Sequence, residues 1–312
     1  MRREFGILPP GDARNCLAAL ASHSSPLSRV LQYRFTKGGH FSGHSVGNLV
    51  LAALTEMTGD FAKAVELLGH MLGISGRVFP STAENVTLVA EFDSGEIVRG
   101  ETAIASHGRP IRRLSLERSV RPLPDALRAL VNADAVIVGP GSLYTSLLPN
   151  LLVGGVAPTL FGSTNVRIYV ANLMTQPGET DGFTLEDHLR VIREHCGRGL
   201  FDYVLVNTRP ISPATAREQR KSGAEPVRID TDADVTADGI RIVRGDFARE
   251  LPGAEVRHSP ELLSETILRL IQERTDAAAS DGESALSETK VLRGGRRSAM
   301  PGTAVLVNPQ KL

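Results

Sequence analysis

Three apolar runs in this chain stop at small polar residues, and those stops are where chemistry can be done. Ala135–Val138 is followed by Gly139-Pro140-Gly141-Ser142. Residues 166–171 lead to Asn172 and on through Thr175-Gln176-Pro177-Gly178-Glu179-Thr180, and residues 201–206 lead to Asn207-Thr208-Arg209-Pro210. A Gly-rich turn that opens a helix presents free backbone N–H groups, which favour an anion. Gly141 and Ser142 are therefore candidate phosphate contacts, while the same four residues also suit a plain tight turn with an N-cap serine. Arg209 can meet a phosphate or stand in solvent.

A second set lies nearer the amino end. Asp12 is placed to cap a helix over residues 13–21, which puts Arg14 in the first turn, against the dipole preference and so suited to an anion, or simply exposed. The stretch 37–45, KGGHFSGHS, mixes glycines with His40, His44 and serines before an apolar helix over 47–54 with Asn48 in its first turn. Glycines let a backbone approach a ligand closely. His40 and His44 are four apart, yet Gly43 between them and the lack of a third ligand or carboxylate argue against a metal site. Polar contacts to a substrate, or capping, fit better.

These loops need a scaffold. A short apolar segment over 143–148, stopped or kinked by Pro149, joins two runs that read as strands buried on both faces, and such strand–helix–strand units build parallel sheets. Helices are expected over 24–33, 60–72 (with Phe61, Val65, Leu68 and Leu72 on one face), 122–131, 184–194 after the cap Thr184, 212–222 and 260–275. Strands over 76–80, 86–92 and 96–104, with Asp93-Ser94-Gly95 as a hairpin turn, read as a small antiparallel insert. Short strands are expected at 226–228 and 239–243, the latter an edge strand or a small β element. Residues 276–312, rich in Ser, Gly, Ala and charge, read as a disordered tail. Ligands of open α/β sheets bind beyond the carboxyl ends of the strands, where the polar stops fall.

Composition narrows the partners. The 312 residues are 41% hydrophobic but only 4% aromatic with no Trp, so the core is aliphatic. Lys+Arg and Asp+Glu are both 35, which argues against broad attraction to nucleic acid or anionic membrane. Two cysteines, Cys16 and Cys196, form no metal spacing or disulfide framework, and no stretch reaches the ~20 apolar residues of a membrane span. With no signal-peptide core at the start, a cytoplasmic setting is expected.

The motifs REFGILPPGDARNCLAAL, SGHSVGNLVLAAL, GRVFPST, VIVGPGSLYTSLLPNLLV and YVANLMTQPGET occur in that order. Together they resemble the YvcK-type gluconeogenesis factors within the 2-phospho-L-lactate transferase (CofD-like) family, over residues 2 to about 270. The resemblance implies one α/β domain over 1–275, a Rossmann-like three-layer α/β/α sandwich with a mostly parallel sheet and the β insert near 76–104. It implies a regulator that binds a UDP-sugar such as UDP-N-acetylglucosamine and supports bacterial cell shape and growth on gluconeogenic carbon sources. A protein target in cell-wall synthesis and a homo-oligomer are in keeping with it. The alternative from the same family is a transferase moving a phospholactyl-type group from a nucleotide diphosphate donor to a deazaflavin precursor. Carried onto this chain, the ligand contacts are Arg14, His44, Asn48, Gly141, Ser142, Asn172, Gln176 and Glu179; no catalytic residue, metal ligand or further cofactor is assigned. The family opens with a strand, a GGGTG-like turn and an acidic loop resembling DDGGSSGRLR, and this chain starts at about the last arginines of that loop. The expectation is an upstream start, and a sheet without its first two parallel strands in the chain as written.

Overall fold

The computed structural model describes residues 8, 10–22, 25–37, 39, 42–286 and 304–307. In chain order come α1 (Gly11–Leu20), α2 (Pro26–Gln32), α3 (Val46–Thr58), α4 (Phe61–Leu72), β1 (Arg77–Pro80), β2 (Leu88–Phe92), β3 (Ile97–Arg99), α5 (Glu101–Ala105), β4 (Ile111–Leu116) and α6 (Pro124–Asn132). Next are β5 (Ala135–Val138), a π-helical turn (Leu143–Leu147), α7 (Leu148–Leu151), α8 (Val156–Phe161), β6 (Val166–Val170) and α9 (Leu185–Cys196). The rest is β7 (Tyr203–Asn207), α10 (Pro213–Lys221), β8 (Arg241–Gly245), β9 (Ala248–Leu251), β10 (Glu255–His258), α11 (Pro260–Leu286) and β11 (Ala304–Val307). These elements pack as two compact units. One is Met1–Asn132 with Ser142–Phe161 and Gly302–Leu312; the other is Ala133–Gly141 with Gly162–Pro301.

The first unit is a helical cluster with two small sheets. Ser45 caps α3 through the Asn48 amide, and Asp60 caps α4 through the amides of Ala62 and Lys63. The face of α4 read from its period (Phe61, Val65, Leu68, Leu72) is buried against Leu17 of α1, Leu31 of α2 and Leu51 of α3. The antiparallel sheet has the order β3-β2-β4. Its central strand alternates as expected, with Leu88, Ala90 and Phe92 inside. The returning strand is shorter than the sequence suggests. Gly100 takes φ 91°, a conformation costly for any side chain, and the chain leaves the strand there into α5. Arg77–Pro80 does not join this insert but pairs in parallel with Ala304–Val307.

The second unit holds a four-stranded parallel sheet in the order β5-β6-β7-β8, with helices flanking it, which is the expected α/β fold class. Val166, Ile168 and Val170 of β6 and Leu205 of β7 form a core with Phe247 and with Leu270 of α11. At the amino end of β6, Arg167 donates to Asp202 from Nη2 (2.6 Å) and Nε (3.1 Å), and to the Gly199 carbonyl at 2.8 Å. These bonds fix the β6–β7 register. The antiparallel pair β9–β10 closes the unit.

Several local readings change. The β5 run is not buried on both faces: it is an edge strand, and Ile137 is 42% exposed. Asp12 lies inside α1, whose cap position is Pro10. Pro149 does not stop its helix, because it falls in the first turn of α7, where its missing N–H is not needed. Residues 226–228 make only isolated bridges, Met174 with Pro226 and Thr184 with Arg228. α11 continues past Thr275 to Leu286. His40 and residues 287–303 lie outside the described residues.

Candidate functional site

The parallel sheet of the second unit brings two of the polar stops to one edge. Beyond the carboxyl ends of β6 and β7 lies an open cavity of about 170 Å³. Leu173, Val206, Ile211, Val227 and Ile229 supply apolar wall, and Asn172, Asn207 and Arg209 supply polar groups. Each wall segment has a reason to be there. The chain after β6 is pinned by bonds from the Val227 amide to the Leu173 carbonyl (3.0 Å) and from the Thr175 amide to the Glu225 carbonyl (2.7 Å). His258 meets the Ala171 carbonyl through Nε2 at 3.2 Å, and burial holds its pKa below the ordinary value against that bond.

The polar groups have different duties. Asn207 is consumed by its own loop: Oδ1 accepts from the amides of Ala248 (2.9 Å) and Arg209 (3.2 Å), and Nδ2 donates to the Arg209 carbonyl (2.8 Å). Arg209 is exposed and faces Asp246 at 3.7 Å. Asn172 is different. Its Oδ1 is buried and has no hydrogen-bond partner among the described residues. A buried acceptor left unpaired costs about 1–3 kcal/mol.

Gln176 and Glu179 do not line this cavity. They belong to a self-bonded loop. The Gln176 amide donates to Thr180 Oγ1 (2.8 Å), the Thr180 amide returns to the Gln176 carbonyl (2.9 Å), and the Gly178 amide donates to Asp181 (2.7 Å). Glu179 is buried in that loop, which leads into the capping box of Thr184 and Asp187 at the start of α9. Gly141 follows β5 in the second unit but is not part of the cavity wall. Ser142 opens the π-helical turn with its carbonyl, accepting from the amides of Ser146 and Leu147 at 2.9 Å each, and its side chain does not cap that turn.

The first unit gathers the other predicted residues at the start of α3. Arg14 is only 6% exposed; Nη1 donates to the cap residue Ser45, and Nη2 donates to Asn15 at 2.6 Å. Asn48 donates its amide to Ser45 Oγ (3.3 Å) and keeps a buried Oδ1 without a partner, and His44 precedes the cap. Gly47 is what permits the arrangement: a Cβ there would lie 2.8 Å from both Cγ and Cδ of Arg14. Sequence reading missed Arg34, which donates to the Gly43 carbonyl at 3.0 Å. Burial, then the charge of Arg34, lower the pKa of Arg14, and Asp12 opposes them. The two cationic side chains thus lie near the N-terminus of α3, with Asp12 as a carboxylate acting on Arg14. No group of His, Cys, Asp and Glu among the described residues could hold a metal, and no described helix is long and apolar enough to cross a membrane.

The loop after β7 is also held from the side by Glu250, which accepts from the Ser212 amide (2.9 Å) and hydroxyl (2.6 Å). The Ser212 hydroxyl bond, with Thr215 and the Ser212 amide, lowers its pKa to about 2. A carboxylate lowered on folding adds stability that is complete above its unfolded pKa of about 4.3 and fades as pH falls toward the folded value. Acid titration between about pH 5 and pH 2 should therefore loosen the start of α10 in the native protein, and Glu250→Gln should flatten that part of the melting-temperature profile. An unchanged profile would show that the carboxylate does not hold this loop.

Comparison with known proteins agrees with the fold and the motifs. The family profile described as 2-phospho-L-lactate transferase CofD matches residues 1–248. A gluconeogenesis factor of Halalkalibacterium halodurans is 42% identical over 269 residues, 86% of this chain and 83% of that protein. The gluconeogenesis factor of Bacillus subtilis is 38% identical over 274 residues, 88% of this chain and 86% of that protein. A crystal structure of a UPF0052 family member from Bacillus halodurans superposes with a TM-score of 0.81 at 42% identity, covering 86% of each chain. With its motifs in register and its fold shared, this chain belongs to the CofD family, alongside the gluconeogenesis factors.

Proposed function

We propose that this protein is a nucleotide-sugar-binding regulator whose ligand is a UDP-sugar of the UDP-N-acetylglucosamine kind. The observation that carries the reading is the cavity beyond β6 and β7, walled by apolar side chains with Asn172 and Arg209 among its polar residues. An apolar cleft with an asparagine and a cation, Arg209, suits a ligand with a heterocycle at one end and phosphates at the other. Gln176, Glu179 and Gly141 are the further contacts proposed in the second unit. In the first unit, Arg14, His44, Asn48 and Ser142 are proposed contacts for negative or polar groups, on the strength of the cationic Arg14 and Arg34 gathered near the start of α3. The relatives' name, gluconeogenesis factor, supports a role in growth on gluconeogenic carbon; support of cell shape, a cytoplasmic setting, a protein target in cell-wall synthesis and a homo-oligomer are proposed with it.

Calorimetric titration with UDP-N-acetylglucosamine is the direct test. Binding should raise the melting temperature, as any ligand of the folded state must. Ser142→Ala and Asn172→Ala should each weaken affinity about tenfold, a loss of ~1.4 kcal/mol. Unchanged affinity in both variants would remove the site assignment. The family profile favours one second reading, a transferase acting on a nucleotide diphosphate donor. Turnover of such a donor with a deazaflavin acceptor would establish it in place of the regulator.

A further inference from the structure

The longest apolar run after α11 is Ala304-Val305-Leu306-Val307, set between Pro301-Gly302 and Asn308-Pro309. A short run of β-branched and aliphatic residues between turn formers is the pattern of a buried strand. In the first unit this run is β11, and it pairs in parallel with β1, Arg77 opposite Ala304 and Pro80 opposite Val307. Among the described residues no other strand pairs with β1. Yet β1 lies deep in its unit: Val78 and Phe79 are each 6% exposed, and α1, α4 and α6 lie against it. Backbone N–H and C=O groups in such a place need partners, and β11 supplies them. Helix α1 also lies against β11.

We infer that the edge of β1 is a strand-receiving site, and that its occupant is the C-terminal segment of the same chain, docked as an exchangeable parallel strand. The lengths match: four residues face four, and Pro80, the last of β1, has no N–H to offer a longer partner. Residues 287–303 join the strand to α11, and closing a connection of that length costs little more entropy than closing a shorter one. The strand is exchangeable because a two-stranded sheet this short is marginal by itself and rests on the helices that cover it. Its release would uncover one side of α1, the helix whose Arg14 donates to the α3 cap Ser45. The C-terminal segment is thus a strap on the first unit, and a peptide of the same sequence can take its place.

Arg77 is exposed and stands opposite Ala304, so Arg77→Cys with Ala304→Cys in the full chain tests the register without touching the core. Directly paired positions of neighbouring strands fall within disulfide reach. Mild oxidation should bridge positions 77 and 304 within one chain, as read by peptide mapping, and neither single variant should give that bridge. Arg77→Cys with Val307→Cys, offset by about 10 Å along the strand, should give at least fivefold less. A bridge between two chains would make the occupant a second copy and overturns the inference, as do no bridge and equal yields from the two pairs. A peptide of residues 302–312 in millimolar excess should lower the 77–304 yield at least threefold, and an unresponsive yield overturns the exchange. Independently, Val305→Pro with Leu306→Pro removes the N–H that faces β1, because successive N–H groups of a strand point to opposite sides. Hydrogen exchange at whichever of the Val78 and Phe79 amides faces β11 should then quicken at least tenfold, while β6 and β7 keep their protection. Unchanged protection at both amides overturns the inference.

Discussion

Gly47→Ala is expected to cost about 3 kcal/mol and to lower the melting temperature by roughly 5–10 °C. Gly47 sits in the first turn of α3, where the aliphatic stem of Arg14 crosses the helix. A methyl group there would lie 2.8 Å from the Cγ and Cδ of Arg14 and 2.8 Å from the Leu31 carbonyl oxygen. The stem could swing away, but the carbonyl is backbone at the end of the buried Leu31 of α2, and it cannot yield without shifting that helix. Arg14 would also leave Ser45 and Asn15, and a buried guanidinium without its acceptors is strongly destabilising. Thermal melts of Gly47→Ala beside Gly69→Ala separate the causes. The Gly69 methyl meets only side chains, with Ile74 nearest at 3.0 Å, so its effect should be smaller. Equal losses would show that the Arg14–α3 junction is not special.

Asn207→Ala is the second large expected effect. Its amide makes three bonds inside the turn after β7, and two of them hold the backbone of Arg209. Loss of three bonds, with two N–H groups left to compete for water, should destabilise by about 2–4 kcal/mol. The functional consequence should be larger than the loss of any ligand contact, since the Asn207–Ile211 segment forms one side of the cavity. UDP-sugar affinity should fall at least tenfold, even at temperatures where the variant is fully folded. Asn207→Asp keeps the acceptor and loses the donor, so it should fall between the two. Hydrogen exchange at the amides of Ala248 and Arg209 reads the same event without ligand, and unaltered protection in Asn207→Ala would refute this account.

Much of the molecule is legible in the residues because it depends on local rules. The amphipathic period of α4, the cap Thr184, and the apolar runs of β5, β6 and β7 all appear where side-chain pattern demands them. The polar stops after β6 and β7 meet at one cavity because parallel strands align their carboxyl ends. Of the eight ligand contacts read from the sequence, only Asn172 is on that cavity wall, and the Thr175–Thr180 loop is bonded largely to itself.

The tertiary structure decided what local rules cannot. Edge or centre is a property of neighbours, so the Ala135–Val138 run could not disclose that Ile137 faces outward. Residues 31 positions apart set the partnership of Arg14 with Ser45, and the positive neighbour Arg34 carries no signal in its own surroundings. The parallel pairing of Arg77–Pro80 with Ala304–Val307 joins segments more than two hundred residues apart, and no alternation within either four-residue strand specifies its partner. The residues alone determined the α/β class, most of the helices and the family. Which asparagine is spent on the backbone and which keeps an unmet acceptor was decided by packing, since two like side chains after like strands differ only in what the fold places beside them.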